Sequence, residues 1–422
     1  MTQSILKKIR AMLLAARLGK YNFVADSLSM FSLFKIMVDL FRVRSYRRTD
    51  ELQFKAENAE VIYTSSGRSA LYLLLKSIYE SKRPFESTPN IIIPGFSCVV
   101  VCNAAVAAGF EVRFADIQKS DFCLDSESVS KLVDSNTVAL VVHHLFGFVD
   151  ESIPEMKLRW PQIAIIEDCA HSLGSRFSDG SPIGGKGDFS FFSFEQSKPV
   201  TAWDGGALVV NTTKSINCDL LYENKNLIPT ETNWNVLRTL FFLMFYTLCY
   251  SPKLYRIGIP VALLVKKVFA QENSMNSLEL TGQFDLSKYW IMSPFKVKII
   301  KSQLVGIRRR QGLRSKRAAL MGEYLHQFKN IPVNSYVLRF PLLVNDRSDF
   351  LEHCKVNDFL PGLWFTSPLH PVLIGDSRFP YTCGSCPNAE FMSSRIVNLP
   401  VSEKYSDEDI LRVVYLVTRI IQ

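Results

Sequence analysis

The chain has 422 residues, enough for two domains and a large apolar core, and its 47% hydrophobic and 21% charged content is that of a globular protein. The formal charge of +9 is unevenly placed: residues 1–50 carry ten basic and three acidic side chains, and residues 296–317 carry nine basic and no acidic ones. The remainder is therefore mildly acidic, which excludes a uniformly basic nucleic-acid binder and points to local contacts with phosphate, lipid or an anionic substrate.

In chain order, residues 1–57 form a basic, apolar leader. Ile5, Ile9, Met12, Leu13 and Ala16 recur at helical spacing, and basic residues interrupt the apolar stretch, unlike a secretory signal. Two readings stay open for it: helices packed on the main domain, or an interfacial helix on anionic lipid. With nine scattered cysteines the expected setting is cytoplasmic, at the inner face of the membrane in the lipid reading. Cys383 and Cys386 make one CxxC pair without the second pair that a zinc site needs, so no metal is expected.

From residue 58 short apolar runs alternate with helical stretches. AEVIYTSS, NIIIPGFS, FEVRFADI, TVALVVHHLFG and IAIIEDCAHS read as strands, and GRSALYLLLKSIYE and VVVCNAAVAAG as helices. DFSFFSFEQSK and GGALVVN are strand-like around a polar turn. This alternation predicts an α/β fold: a large domain at 58–290 with a mostly parallel central sheet between helices, and a smaller α/β domain at 291–422. Ligands then sit at the strand C-terminal ends. Residues 236–269 are strongly apolar, within an insertion at about 230–285, but neither uncharged run reaches spanning length. A membrane-facing hairpin and a subunit contact remain open. A basic helix is expected at 296–329, and Ser406 followed by three acids predicts the start of a closing helix.

Three local features carry chemistry. Ser65-Ser66-Gly67-Arg68-Ser69 lies between a strand and a helix, where backbone N–H groups and hydroxyls form an anion cup. Glu167-Asp168 ends a buried strand, where a carboxylate needs a positive partner such as a protonated pyridine nitrogen. Lys198 follows the aromatic run FSFFSFEQS, where two readings stay open: an exposed lysine with its stem lying on the aromatics, or one partly desolvated by that wall, with the lowered pKa that imine formation requires.

Together with IIIPGFSCVVVCNAAVAAGFEVRFADI, HLFG, IIEDCAHSLGS, GDFSFFSFEQSK, DGGALVVN and RIVNLPVSEKYSDEDILRVV, these features resemble the DegT/StrS-type aminotransferases, a branch of the pyridoxal-phosphate (PLP) enzymes of fold type I. The resemblance runs from about residue 58 to the end. It implies PLP as cofactor, Lys198 as the imine-forming lysine and proton carrier, and Asp168 as partner of the pyridine nitrogen. It further implies that His171 touches the cofactor face or its phenolic oxygen, and that Gly67, Arg68 and Ser193 belong to the phosphate site. Arg68 replaces the usual Thr. Cys98 stands where many members place a stacking ring, which implies either weaker stacking on the cofactor or a ring supplied by Phe96. Trp290-Ile291-Met292-Ser293 replaces the usual Arg-Met-Ser run.

The implied reaction is transfer of an amino group, usually from L-glutamate, to a nucleotide-linked keto-sugar for surface-glycan or polysaccharide biosynthesis. A homodimer is implied, with no nucleic-acid partner, and peripheral membrane contact through 1–50 and 236–269 is compatible with it. The alternative is a catalytically inactive, membrane-associated scaffold, motivated by Arg68, Cys98 and the two apolar additions.

Overall fold

The computed structural model describes residues 59–212, 217–249, 278–329, 331–332, 334–357 and 359–421, with residues 21–22, 33–34, 38, 258 and 261. The leader at 1–57 and the stretch 250–277 of the apolar insertion lie, but for those few positions, outside the described residues.

Seven strands form one sheet: β1 (Glu60–Thr64), β2 (Asn90–Pro94), β3 (Glu111–Ala115), β4 (Thr137–His143), β5 (Ala164–Asp168), β6 (Phe189–Ser193) and β7 (Gly206–Val210). Their spatial order is β1-β7-β6-β5-β4-β2-β3. β7 runs antiparallel to both neighbours and every other pairing is parallel. The mostly parallel sheet expected from the alternating pattern is thus present.

Both faces of the sheet are covered, which is why its strands read as continuous apolar runs rather than alternating ones. Ile91, Ile93, Val141 and Ile166 enter one core, while Ile92, Leu140, Val142 and Ile165 enter the other. The first core is closed by Leu71, Leu74 and Ile78 of α1 (Gly67–Ser81) and by small residues of α2 (Val99–Ala107). The second is closed by Ile153 and Met156 of α4 (Ile153–Arg159), the helix after α3 (Ser126–Leu132).

Beyond β7 come α5 (Cys218–Asn226) and α6 (Asn233–Cys249). α6 buries Phe242, Leu243 and Tyr246, yet Trp234, Leu237, Phe241, Met244 and Leu248 form an exposed apolar stripe along it. Among the described residues no helix is long and apolar enough to cross a membrane.

The basic stretch expected as one helix at 296–329 is two. α7 (Pro294–Leu304) and α8 (Ile307–Leu325) are separated at Val305 and Gly306, and Gly306 caps the second. Part of its charge is spent internally rather than on a ligand. Lys296, Arg314 and Arg317 are buried; Arg314 pairs with Glu403 at 2.7 Å and Arg317 with Asp407 at 2.8 Å.

The C-terminal part pairs β8 (Phe340–Leu343) antiparallel with β9 (Ile396–Leu399), beside α9 (Arg347–Val356), α10 (Pro387–Arg395) and α11 (Asp407–Ile421). The start of α11 is a capping box. Ser406 Oγ accepts from Asp409 N and Asp409 Oδ2 accepts from Ser406 N, each at 3.1 Å. Leu369–His370 pairs in parallel with Ser97–Cys98, which carries the C-terminal loop against the C-terminal edge of the sheet.

Candidate active site

The parallel strands all end on one edge, and there a cavity of about 640 Å³ opens. All six residues singled out in the sequence line it: Gly67, Arg68, Asp168, His171, Ser193 and Lys198.

The cup is built by the β1–α1 turn. Ser66 caps α1 from extended backbone, its Oγ accepting from Ser69 N at 3.1 Å, and Ser65 Oγ donates to Ser69 Oγ at 2.8 Å. The first N–H groups of α1 point out of the helix toward any anion placed there. Gly67 lets the turn pack closely, since a Cβ there would sit tightly against Phe192 O at 3.1 Å and Ser193 Cβ at 3.3 Å. Ser193, at the end of β6, thereby closes the cup from the side. Arg68 does not hang free over it: its guanidinium is ion-paired with the buried carboxylate of Glu279, 211 residues later.

Lys198 sits in the turn between β6 and β7, its N–H bonded to Glu195 O at 3.0 Å. Its Nζ lies 5.0 Å from the centre of the Trp364 ring. Burial pulls its pKa below the usual lysine range, against the opposing pull of Glu195, Cys98 and Asp168. Asp168, at the end of β5, accepts from Ala170 N at 3.0 Å, and burial raises its pKa while Lys198 opposes the rise. The neighbouring Glu167 faces the other way. It is fully buried, accepting from Gly184 N and Lys186 N at 2.8 Å and from His144 Nε2 at 3.0 Å. His144 Nδ1 in turn accepts from Asp150 N at 3.1 Å, which leaves Nε2 as the donor to Glu167. Among the described residues His144, Glu167 and Cys169 are the one group spaced for a metal, but its His and carboxylate lone pairs are already committed to these bonds.

His171 stacks on Trp364 with ring centres 5.3 Å apart, and burial holds it well below the usual histidine range. Phe96 does not supply a ring to the cavity. It is fully buried in the core, packed on Phe122 at 5.8 Å and Phe365 at 5.5 Å, because the bend after β2 turns it into an aromatic cluster. Trp364, Phe365 and His370 reach the cavity instead, from the LPGLWFTSPLHPV loop. The two aromatics and the histidine in an otherwise ordinary loop were the available signal for them.

These residues fit PLP. An amine of lowered pKa suits its aldehyde, a buried carboxylate suits a protonated ring nitrogen, and the cup suits a phosphate. Among the described residues His171 Nδ1, Gln196 Oε1 and Trp290 Nε1 are buried polar atoms in the cavity wall without a hydrogen-bond partner. Such atoms are costly unless a bound group satisfies them.

Comparison with known proteins agrees. The model of the DegT/DnrJ/EryC1/StrS aminotransferase family matches residues 49–224 and 290–418. Over 153 residues the chain is 32% identical to an L-glutamine:2-deoxy-scyllo-inosose aminotransferase of Streptomyces kanamyceticus, which covers 36% of this chain and 34% of that one. Over 191 residues it is 26% identical to GDP-perosamine synthase of Vibrio cholerae, covering 43% and 50%. The matched stretches thus span a third to a half of those relatives' length. PseC of Helicobacter pylori, an aminotransferase involved in pseudaminic acid biosynthesis, superposes with a TM-score of 0.66 at 17% identity over 96% of this chain and 99% of that one. DesV of S. venezuelae does so with a TM-score of 0.64 at 18% identity, covering 93% and 94%. At those identities the likeness is one of fold.

Proposed function

The chain belongs to the DegT/DnrJ/EryC1/StrS aminotransferase family and its cofactor is pyridoxal phosphate, and on that premise we propose that it transfers an amino group from L-glutamate to a nucleotide-linked keto-sugar. The observation that carries the reading is the convergence of Lys198, Asp168 and the Ser65–Ser69 cup on one cavity. When bound, PLP supplies an electrophilic aldehyde and an electron sink. Lys198 Nζ would hold the aldehyde, and its amine would carry the proton that the transfer moves. A lowered pKa raises the neutral fraction of that amine, which suits a base. Asp168 would pair with the protonated ring nitrogen. The cup, with Ser193, would hold the phosphate. His171, neutral and stacked on Trp364, orients the ring without adding charge.

The intact cavity favours turnover over the scaffold alternative. The polyanionic nucleotide suits the exposed Lys298, Arg308, Arg309 and Lys316 of the 296–317 stretch, and products of this class serve glycan assembly. The exposed stripe on α6 supports a homodimer, which sedimentation of a Leu237→Ser/Phe241→Ser variant tests: a lighter species is expected.

The decisive experiment is borohydride reduction of the PLP-loaded protein followed by peptide mass analysis. The expected result is a pyridoxyl mass on Lys198, absent in Lys198→Ala. Glutamate should bleach the visible band, and mass spectrometry of mixtures with nucleotide-linked keto-sugars should then show an aminated product. A label on another lysine refutes the assignment.

A further inference from the structure

Beside the cup, where Gly205 bridges to Ser66, the cavity wall carries an ion triad that the chemistry at Lys198 does not use. Lys296 of α7 is almost fully buried and pairs with two carboxylates, Asp204 and Glu231. Glu231 is wholly inside, at 2.6 Å from Lys296 Nζ, and also accepts from Ser293 N at 3.2 Å. Asp204 differs. It lines the cavity, 42% of its side chain is accessible there, and Lys296 engages Oδ1 alone. Among the described residues Oδ2 has no hydrogen-bond partner.

The turn that carries Asp204 is held from both sides. Trp203 stacks on Phe242 of α6 at 5.3 Å and meets Tyr246 edge-on at 5.4 Å. Trp203 N donates to Thr201 Oγ1 at 3.0 Å, and the Thr201 backbone is clamped by Gln303 at 3.1 and 2.7 Å. On the other side Phe194 N donates to Gly205 O at 2.8 Å. A carboxylate so fixed meets a ligand without paying to be ordered.

The triad alone carries one net negative charge, and Arg238 of α6, also in the cavity wall, acts on Asp204 electrostatically. Ionised phosphates and the carboxylates of glutamate have no hydrogen to offer an acceptor oxygen, and the reacting amine is committed to the Lys198 end. The hydroxyl-bearing ring is the remaining part of the substrates that donates hydrogen bonds without negative charge.

We propose that Asp204, positioned by Lys296, is a specificity-determining residue that accepts a hydrogen bond from a ring hydroxyl of the keto-sugar. This rests on the transaminase reading above. A charged acceptor lost from such a contact costs about ten- to a hundredfold in affinity.

The test uses the PLP-loaded full chain and its Asp204→Asn and Asp204→Ala variants. The two half-reactions are followed separately by single-turnover absorbance. The probes are glutamate on one side and UDP- and GDP-linked 4-keto-6-deoxyhexoses, with their mono-deoxy analogues, on the other. The expected result is a tenfold or larger rise in the keto-sugar half-saturation concentration relative to that for glutamate. Wild type should also reject one mono-deoxy analogue by the factor that Asp204→Ala costs, and the variant should no longer distinguish that analogue. Equal discrimination among analogues by wild type and variants overturns the inference, as does wild type accepting every analogue equally should the variants not fold. A wild type that glutamate fails to convert refutes the transaminase reading instead. The contact is then read by calorimetric titration with the same sugar nucleotides, where equal affinity of wild type and Asp204→Ala overturns it.

Discussion

Acid should destabilise this protein well above the usual carboxylate range, and His143 is one identifiable cause beside His171, which burial holds well below the usual histidine range. It ends β4 in the wall of the cavity, 3% exposed, with Nε2 at 2.6 Å from Phe122 O. Because a carbonyl only accepts, Nε2 carries the proton. Burial pushes its pKa down to about 4, and neighbouring His144 adds to the fall while the Phe122 carbonyl and Asp121 oppose it. The unfolded chain titrates this ring near 6.5, so between those values the unfolded state binds the extra proton. The contribution is therefore complete above about pH 6.5 and is lost as pH falls toward 4, at about 1.4 kcal/mol per unit and about 3 kcal/mol in all. His370, also pushed down to about 4 by burial, acts in the same direction. Asp150 and Asp168 have raised values and oppose it toward the acid end. The assay is urea unfolding between about pH 7 and 5, comparing wild type with His143→Gln, whose amide nitrogen takes the Nε2 position and can donate to Phe122 O. The variant should lose about 2 kcal/mol less than wild type over that interval. Identical slopes would refute the claim that this ring is held neutral by the fold.

Gly206→Ala should abolish PLP retention and lower the melting temperature, because its Cβ would lie 2.2 Å from the Ser66 carbonyl carbon, backbone against backbone; a cost of about 3 kcal/mol or more is expected. Dialysis followed by absorbance reads the first effect and calorimetry the second. Glu167→Gln should cost about 3 kcal/mol in urea unfolding, since an amide nitrogen would face N–H donors that now converge on a carboxylate. Ser406→Ala removes one half of the capping box of α11 and should cost about 1 kcal/mol without altering PLP absorbance.

What could be read from the sequence shares one property, local determination. The strands showed because each is a short apolar run buried on both faces and bounded by turn residues, and the cup showed because a strand-turn-helix with Ser and Gly leaves its amides exposed whatever lies around it. Lys198 and Asp168 were legible through the same local strand ends. The break at Gly306 was not, because basic residues on every side of α7 and α8 hide the helical period, and three of those cations prove to be buried against acids from elsewhere. Nor were the cavity's other walls. Arg68 meets Glu279, Asp204 meets Lys296, and His171 meets Trp364, each pair joined by tertiary packing across some 90 to 210 residues. No periodicity reports such a meeting. The consequence bears on function. The residues that handle the cofactor lie on the sheet edge, where local sequence dictates position. Of those that would handle the sugar, several lie on α6 and the segment from 278 to 290, between the two stretches that match the family. On the proposed transaminase reading, the reaction class would be encoded in short motifs and the choice of sugar in packing, so substitutions in that second set should change which keto-sugar is accepted before they change whether PLP is held.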